Sequence, residues 1–242
     1  MSMSKVAGFD FPNGFDVSSY DQVNERVAKA ADPNDATTPW KRNAWFSYAA
    51  AWNGVAVRLR SAVEYDEEFA GLIAATTAPS HEERYAQERA LFGCVAAALS
   101  TVECFYMAAY CAAAALAPTS IPLTAAKHLI LRPSEVAAAY RVWEPSDPFT
   151  NSLASVASAT ELRALEDLRN TLAHRGLLPR QHYLSTVSVV PSTVPSNPKA
   201  LAADFDYKAA LGTATTSAHA MWMLNTTSRL VGEFNLFLAA RV

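Results

Sequence analysis

Apolar residues recur at intervals of three and four along most of this chain, the spacing that gathers side chains on one face of a helix. Trp45, Tyr48, Trp52, Val55 and Leu59 form one such stripe and predict a helix over residues 40 to 76, with Thr38 as its cap and Pro39 in its first turn. Gly54 and Gly71 are its weak points. Ala78-Pro79 breaks the pattern, and Ser80-x-x-Glu83 is a capping box that opens a second long helix, over residues 81 to 115. Leu162, Leu165, Leu168 and Leu172 draw a third stripe, behind a second capping-box pattern at Ser158 and Glu161, and Gly176 ends it. Met221, Leu224, Ser228 and Val231 share a face of a last helix, over residues 207 to 240. Shorter helices are expected over 19 to 31, 124 to 131 and 133 to 143.

Two stretches lack this spacing. Residues 1 to 17, with Phe9, Phe11 and Phe15, read as an irregular arm whose aromatics dock on the body. Residues 177 to 206 form an excursion between the third stripe and the last helix. Tyr183 to Val190 favours extended structure there, while Pro191, Pro195 and Pro198 prevent helix. The excursion either covers the preceding helix as a lid or pairs as a short β ribbon. The fold class is therefore all-α, an up-and-down helical bundle, in one domain spanning residues 1 to 242, since no repeat, linker or composition break divides it.

Composition narrows the function. The hydrophobic content of 51% supports a substantial core, and a net charge of -3 with a pI near 6.0 excludes a general nucleic-acid coat. Any RNA must be engaged locally, without a broad basic surface. Cys94, Cys104 and Cys111 all lie in one apolar helix, a placement that favours reduced thiols in a cytoplasmic protein over a disulfide framework. The first fourteen residues have no basic stretch leading into an apolar run, so no secretion signal is expected. Residues 91 to 117 are uncharged apart from Glu103 and long enough to span a bilayer. They are alanine-rich, however, and a carboxylate near the centre costs about 3 kcal/mol on insertion scales, so a helix enclosed in the bundle is the expected reading, with no membrane.

Candidate chemistry concentrates at the end of the third stripe, in Leu168-Arg169-Asn170-Thr171-Leu172-Ala173-His174-Arg175-Gly176. Asn170 and His174 are four apart and share a face, whereas Arg169 and His174 are five apart and about 140° round the helix at 100° per residue. An arginine and a histidine so placed converge on one small anion within one chain only where the helix bends or loosens.

Arg169-Asn170-x3-His174, closing a helix and followed by Arg-Gly, resembles the signature of the HEPN superfamily. The close match covers about a dozen residues; the rest agrees in being helical. The resemblance implies a helical bundle that dimerises, two copies of the motif meeting across the seam, and, as in many members, metal-independent cleavage of RNA without a cofactor. It assigns Arg169, Asn170 and His174 as catalytic residues, a role as toxin or in RNA processing or defence, and an antitoxin or other protein as a further partner. His174 would exchange a proton with the ribose 2'-hydroxyl and the leaving oxygen, since imidazole titrates near pH 6.5, and Arg169 would hold a phosphate oxygen. Arg175 either contacts phosphate or is a solvated helix-end charge. Glu103 either orients Arg169 or His174 from the neighbouring helix or bonds to buried hydroxyls or backbone.

Other readings remain open. An ordinary helix end, with the histidine bonded to a carbonyl and Arg169 paired to Glu166 or Asp167, uses the same residues. A non-catalytic helical module binding a protein or nucleotide is the alternative function. His81, His128, His182 and His219 have no metal-ligand spacing, and the glycine-rich nucleotide loops and the Gly-x-Ser-x-Gly elbow are absent. Trp45, Trp52 and Trp143 read as core or interface anchors.

Overall fold

The structure, a computed structural model, describes residues 3–6, 9–32, 38–75, 79–124, 131–174 and 212–242. Most of them are helical: α1 Val17–Ala31, α2 Pro39–Ala75, α3 His81–Leu116, α4 Pro133–Trp143, α5 Pro148–Ala157, α6 Thr160–His174 and α7 Thr213–Ala239.

α2 and α3 form the frame. Ser80 caps α3 as its sequence predicts, its hydroxyl accepting from the Glu83 amide at 3.3 Å while the Glu83 carboxylate accepts from the Ser80 amide at 2.7 Å. Two glycines hold the pair close. A methyl group at Gly54 would lie 2.8 Å from Cys104 Sγ, and one at Gly93 would lie 2.8 Å from the Tyr65 ring. The pairs 54 with 104 and 65 with 93 run in opposite directions, so the helices are antiparallel. Gly54, expected to weaken α2, is therefore a contact point, whereas a methyl at Gly71 would meet nothing within 4 Å. Gly71→Ala is expected to raise stability by about 0.5–1 kcal/mol through lost chain entropy. Gly93→Ala should lower it by about 1–3 kcal/mol through overpacking on Tyr65. Urea unfolding of both variants checks the pair, and equal shifts would refute the assignment.

α3 is the hub, packed by α1, α2, α4, α6 and α7. It is long and apolar enough to cross a membrane, with a mean hydropathy of 1.6 over its most apolar window, yet 61% of that window is buried within the fold. Small alanines from Ala108 to Ala115 let neighbours approach it from several sides. The α2 stripe points inward as predicted, with Tyr48, Trp52, Val55 and Leu59 buried.

Some expectations need correction. The arm is not irregular: Met3–Val6 pairs antiparallel with Phe9–Pro12 as a two-stranded hairpin, strands β1 and β2. Its Phe11, together with Phe15, docks on Tyr20, because rings of that size are stable only when covered. Gly14, at φ +92°, takes the left-handed turn that leads into α1. α5 was not anticipated. Asp147 caps it by accepting from the Phe149 amide at 2.9 Å, with Pro148 in the first turn. Ser158 consequently ends α5 rather than opening α6; its hydroxyl donates back to the Ala154 and Ser155 carbonyls at 2.9 and 3.1 Å. On α7 the buried face runs through Leu224, Thr227, Leu230, Val231, Phe234 and Leu238, and Met221 is exposed. The expected helix at 124 to 131 falls mostly outside the described residues, as do residues 207 to 211, Arg175, Gly176 and the whole 177 to 206 excursion.

Candidate functional site

α6 is held by its leucines. Leu162, Leu165 and Leu168 are buried against the bundle, and Leu172 is packed at its edge. Thr171 joins them, its hydroxyl satisfied by the Asp167 carbonyl at 2.8 Å. That stripe sets the helix rotation and so the direction of every motif position. At 100° per residue Arg169 lies about 40° from the inward direction of Leu165, while Asn170 and position 174 lie about 140° and 180° from it. Burial agrees for Arg169 and Asn170: the first is half-buried and the second exposed. α6 is continuous α-helix from Thr160 through His174.

The motif is thus split between two faces. Arg169 turns toward α3, where Glu103 stands. Burial pushes the Glu103 carboxyl above its usual range; the Arg169 cation pulls it down in part, and the Glu166 carboxylate on α6 pushes it further up. The Arg169 Nε atom is enclosed and has no hydrogen-bond partner among the described residues. A buried donor left unmade costs about 1–3 kcal/mol, which an acceptor reaching it would recover.

Because the folded pKa of Glu103 is raised, the fold binds its proton more tightly than the unfolded chain does. The stabilisation is complete below the unfolded carboxyl range and is lost as pH rises through the folded one. Glu103→Gln is therefore expected to flatten the decline of stability with rising pH above about 4.5. Unfolding midpoints measured across pH 4 to 8 for both proteins check this, and parallel curves would exclude it.

Glu103 also lines a groove of about 850 Å³. Phe46, Ala50, Ala51 and Arg58 of α2 form one wall, Ser100, Glu103, Cys104 and Met107 of α3 the other, and Leu131 with Arg132 closes one side. Apart from Glu103 and Cys104, these residues carry no motif in the sequence. A signal existed, because Phe46, Ala50, Asn53 and Val57 form a second stripe on α2, beside the buried one, and all four are exposed.

His219, on α7, is half-buried, and burial lowers its pKa. All three cysteines are free thiols, with burial holding Cys94 and Cys111 up at about 12. Among the described residues no three His, Cys, Asp or Glu side chains come together as a metal set. No family model, curated protein or solved structure matches the chain.

Proposed function

We propose that the chain is a HEPN-like, metal-independent endoribonuclease, working as a cytoplasmic homodimer, as a toxin or in RNA processing or defence, with Arg169, Asn170 and His174 as its catalytic residues. The observation that carries this reading is the end of α6. A continuous helix turns Arg169 toward the α3 seam and carries Asn170 and position 174 on the other side, so that each copy supplies its groups in divergent directions.

Cleavage of a phosphodiester by its own 2'-hydroxyl needs a base, an acid and a cation. Neutral imidazole takes the hydroxyl proton, and imidazolium returns one to the leaving 5'-oxygen. The partial negative charge at a helix C-terminus favours the imidazolium, which suits the acid role at position 174. Arg169 meets the charge that grows on the phosphoryl oxygens with the outer nitrogens of its guanidinium fork, since its Nε is enclosed. Asn170, exposed, is placed to hold the scissile phosphate. Two such half-sites, brought together by a two-fold axis, supply acid and base from different copies.

A non-catalytic module that binds a protein or nucleotide is the second reading, and the coupling of Arg169 to Glu103 favours it, since a cation already answered by a carboxylate attracts an anion less strongly. Incubation of the purified chain with labelled RNA in the presence of EDTA separates the two. Cleavage that disappears in His174→Ala supports the ribonuclease; cleavage unchanged by that substitution would sink it.

A further inference from the structure

We infer that the groove between α2 and α3 is a binding path for single-stranded RNA, with a base stacked on Phe46 and phosphates held by Arg58 and Arg132. This rests on the ribonuclease reading for its choice of ligand and goes beyond it in naming residues outside the motif.

The groove has the two features that recognise single strands, an aromatic platform and cations beside it. Phe46 is a large apolar ring and is 57% exposed, on the face of α2 turned away from the buried stripe. The Arg42 guanidinium carbon lies 5.6 Å from the centre of that ring, which adds a cation at the stacking position. Arg58 and Arg132 both line the groove and are exposed. Glu103 is the one carboxylate among the lining residues, and its charge is shared with Arg169, so the exposed rim is cationic on a chain whose net charge is -3. Charge complementarity on an acidic protein points to an anionic ligand rather than to an apolar helix or a second copy.

Length argues for a strand rather than a mononucleotide. From Phe46 to Arg58 the α2 wall runs about 18 Å at 1.5 Å per residue. The floor between them, Ala50, Ala51, Cys104 and Met107, is small and apolar, a surface on which base faces pack without sequence preference. Continuity with the motif comes from Glu103, which lines the groove and faces the Arg169 charge across the α3–α6 seam.

The test is fluorescence anisotropy of a labelled oligouridylate with the full chain carrying His174→Ala, so that the strand stays intact during titration. Phe46→Ala should weaken binding about five- to hundredfold, the range of one base–aromatic stack. Arg58→Ala combined with Arg132→Ala should reduce the slope of log affinity on log salt by about 1.4, two phosphate contacts at about 0.7 each. Arg229→Ala, on the exposed face of α7, should bind as the parent does. Groove variants that bind RNA as tightly as the parent overturn the inference, and so do variants that instead dissociate a dimer in sedimentation. The two proposals fail separately. A wild-type chain that binds RNA through the groove but never cuts it removes the ribonuclease reading alone; cleavage with unchanged RNA affinity in the groove variants removes the groove alone.

Discussion

His174→Ala is expected to slow RNA cleavage by about 10²–10⁴-fold, the usual contribution of a positioned acid or base, while leaving the unfolding midpoint where it was. The second half of the expectation follows from position. Position 174 lies about 180° round α6 from Leu165 at 100° per residue and is not one of the leucine positions that dock the helix. Arg169→Ala should be nearly as damaging to cleavage but behave differently on unfolding. It strips the Glu103 carboxylate of its nearby cation inside a half-buried seam, and stability should fall as well. A mixture of the two variants provides the sharpest readout. If Arg169 of one copy works with His174 of the other, heterodimers of Arg169→Ala with His174→Ala contain one composite site with both residues intact and one with neither. Partial recovery of cleavage on mixing, with both homodimers inactive, supports a shared site; a mixture as inactive as its components argues for a site within each chain.

The largest effect on folding is expected at Trp52. Its indole is 1% exposed and stacks on Tyr20 of α1 at 4.6 Å between ring centres, with Tyr48 of α2, Phe105 of α3 and Phe234 of α7 around it at 5.7 to 6.4 Å. Four helices therefore meet on one side chain. Trp52→Ala should cost about 3–5 kcal/mol, the transfer term plus a cavity that rigid helices cannot close. For a chain of this size that corresponds to a fall in midpoint of roughly 6–20 °C. Trp52→Phe should cost much less. The indole Nε1 is buried without a hydrogen-bond partner, so its removal relieves an unsatisfied donor while most of the ring area stays. The Tyr20 hydroxyl donates to the Trp52 backbone carbonyl at 2.8 Å, a bond that both variants keep. Thermal unfolding of the two side by side decides; a Phe variant as unstable as the Ala variant would mean that the ring's exact shape, rather than its volume, holds the core.

Helix positions were readable wherever a long apolar stripe met a strong local signal. Ser80 and Glu83 mark the start of α3 because a capping box needs only backbone geometry within four residues. The same pattern misled at Ser158, where the competing partner was the carbonyl of Ala154, one turn back in a helix too short to announce itself. The hairpin at Met3–Val6 and Phe9–Pro12 was hidden because its four-residue strands alternate too briefly, and its stability comes from Phe11 docking on Tyr20 rather than from strand propensity. Met221 shows a related limit. At 100° per residue it sits at the edge of the α7 stripe, and only the neighbours decide whether an edge position is covered.

For the candidate site the division is clearer still. From the residues alone came the motif, its place at a helix end and the 140° between Arg169 and His174, because these depend on spacing along one helix. Sequence by itself also set the all-helical class and the burial of the alanine-rich α3, through periodicity and composition. The rotation of α6, which turns Arg169 toward Glu103 and Asn170 toward solvent, was decided by how four leucine positions seat against the bundle. The groove, too, exists only because α2 and α3 pack side by side, so that Phe46, Arg58 and Glu103 line one space. Interactions between residues some fifty positions apart have no spacing rule to reveal them. Packing alone brings them together.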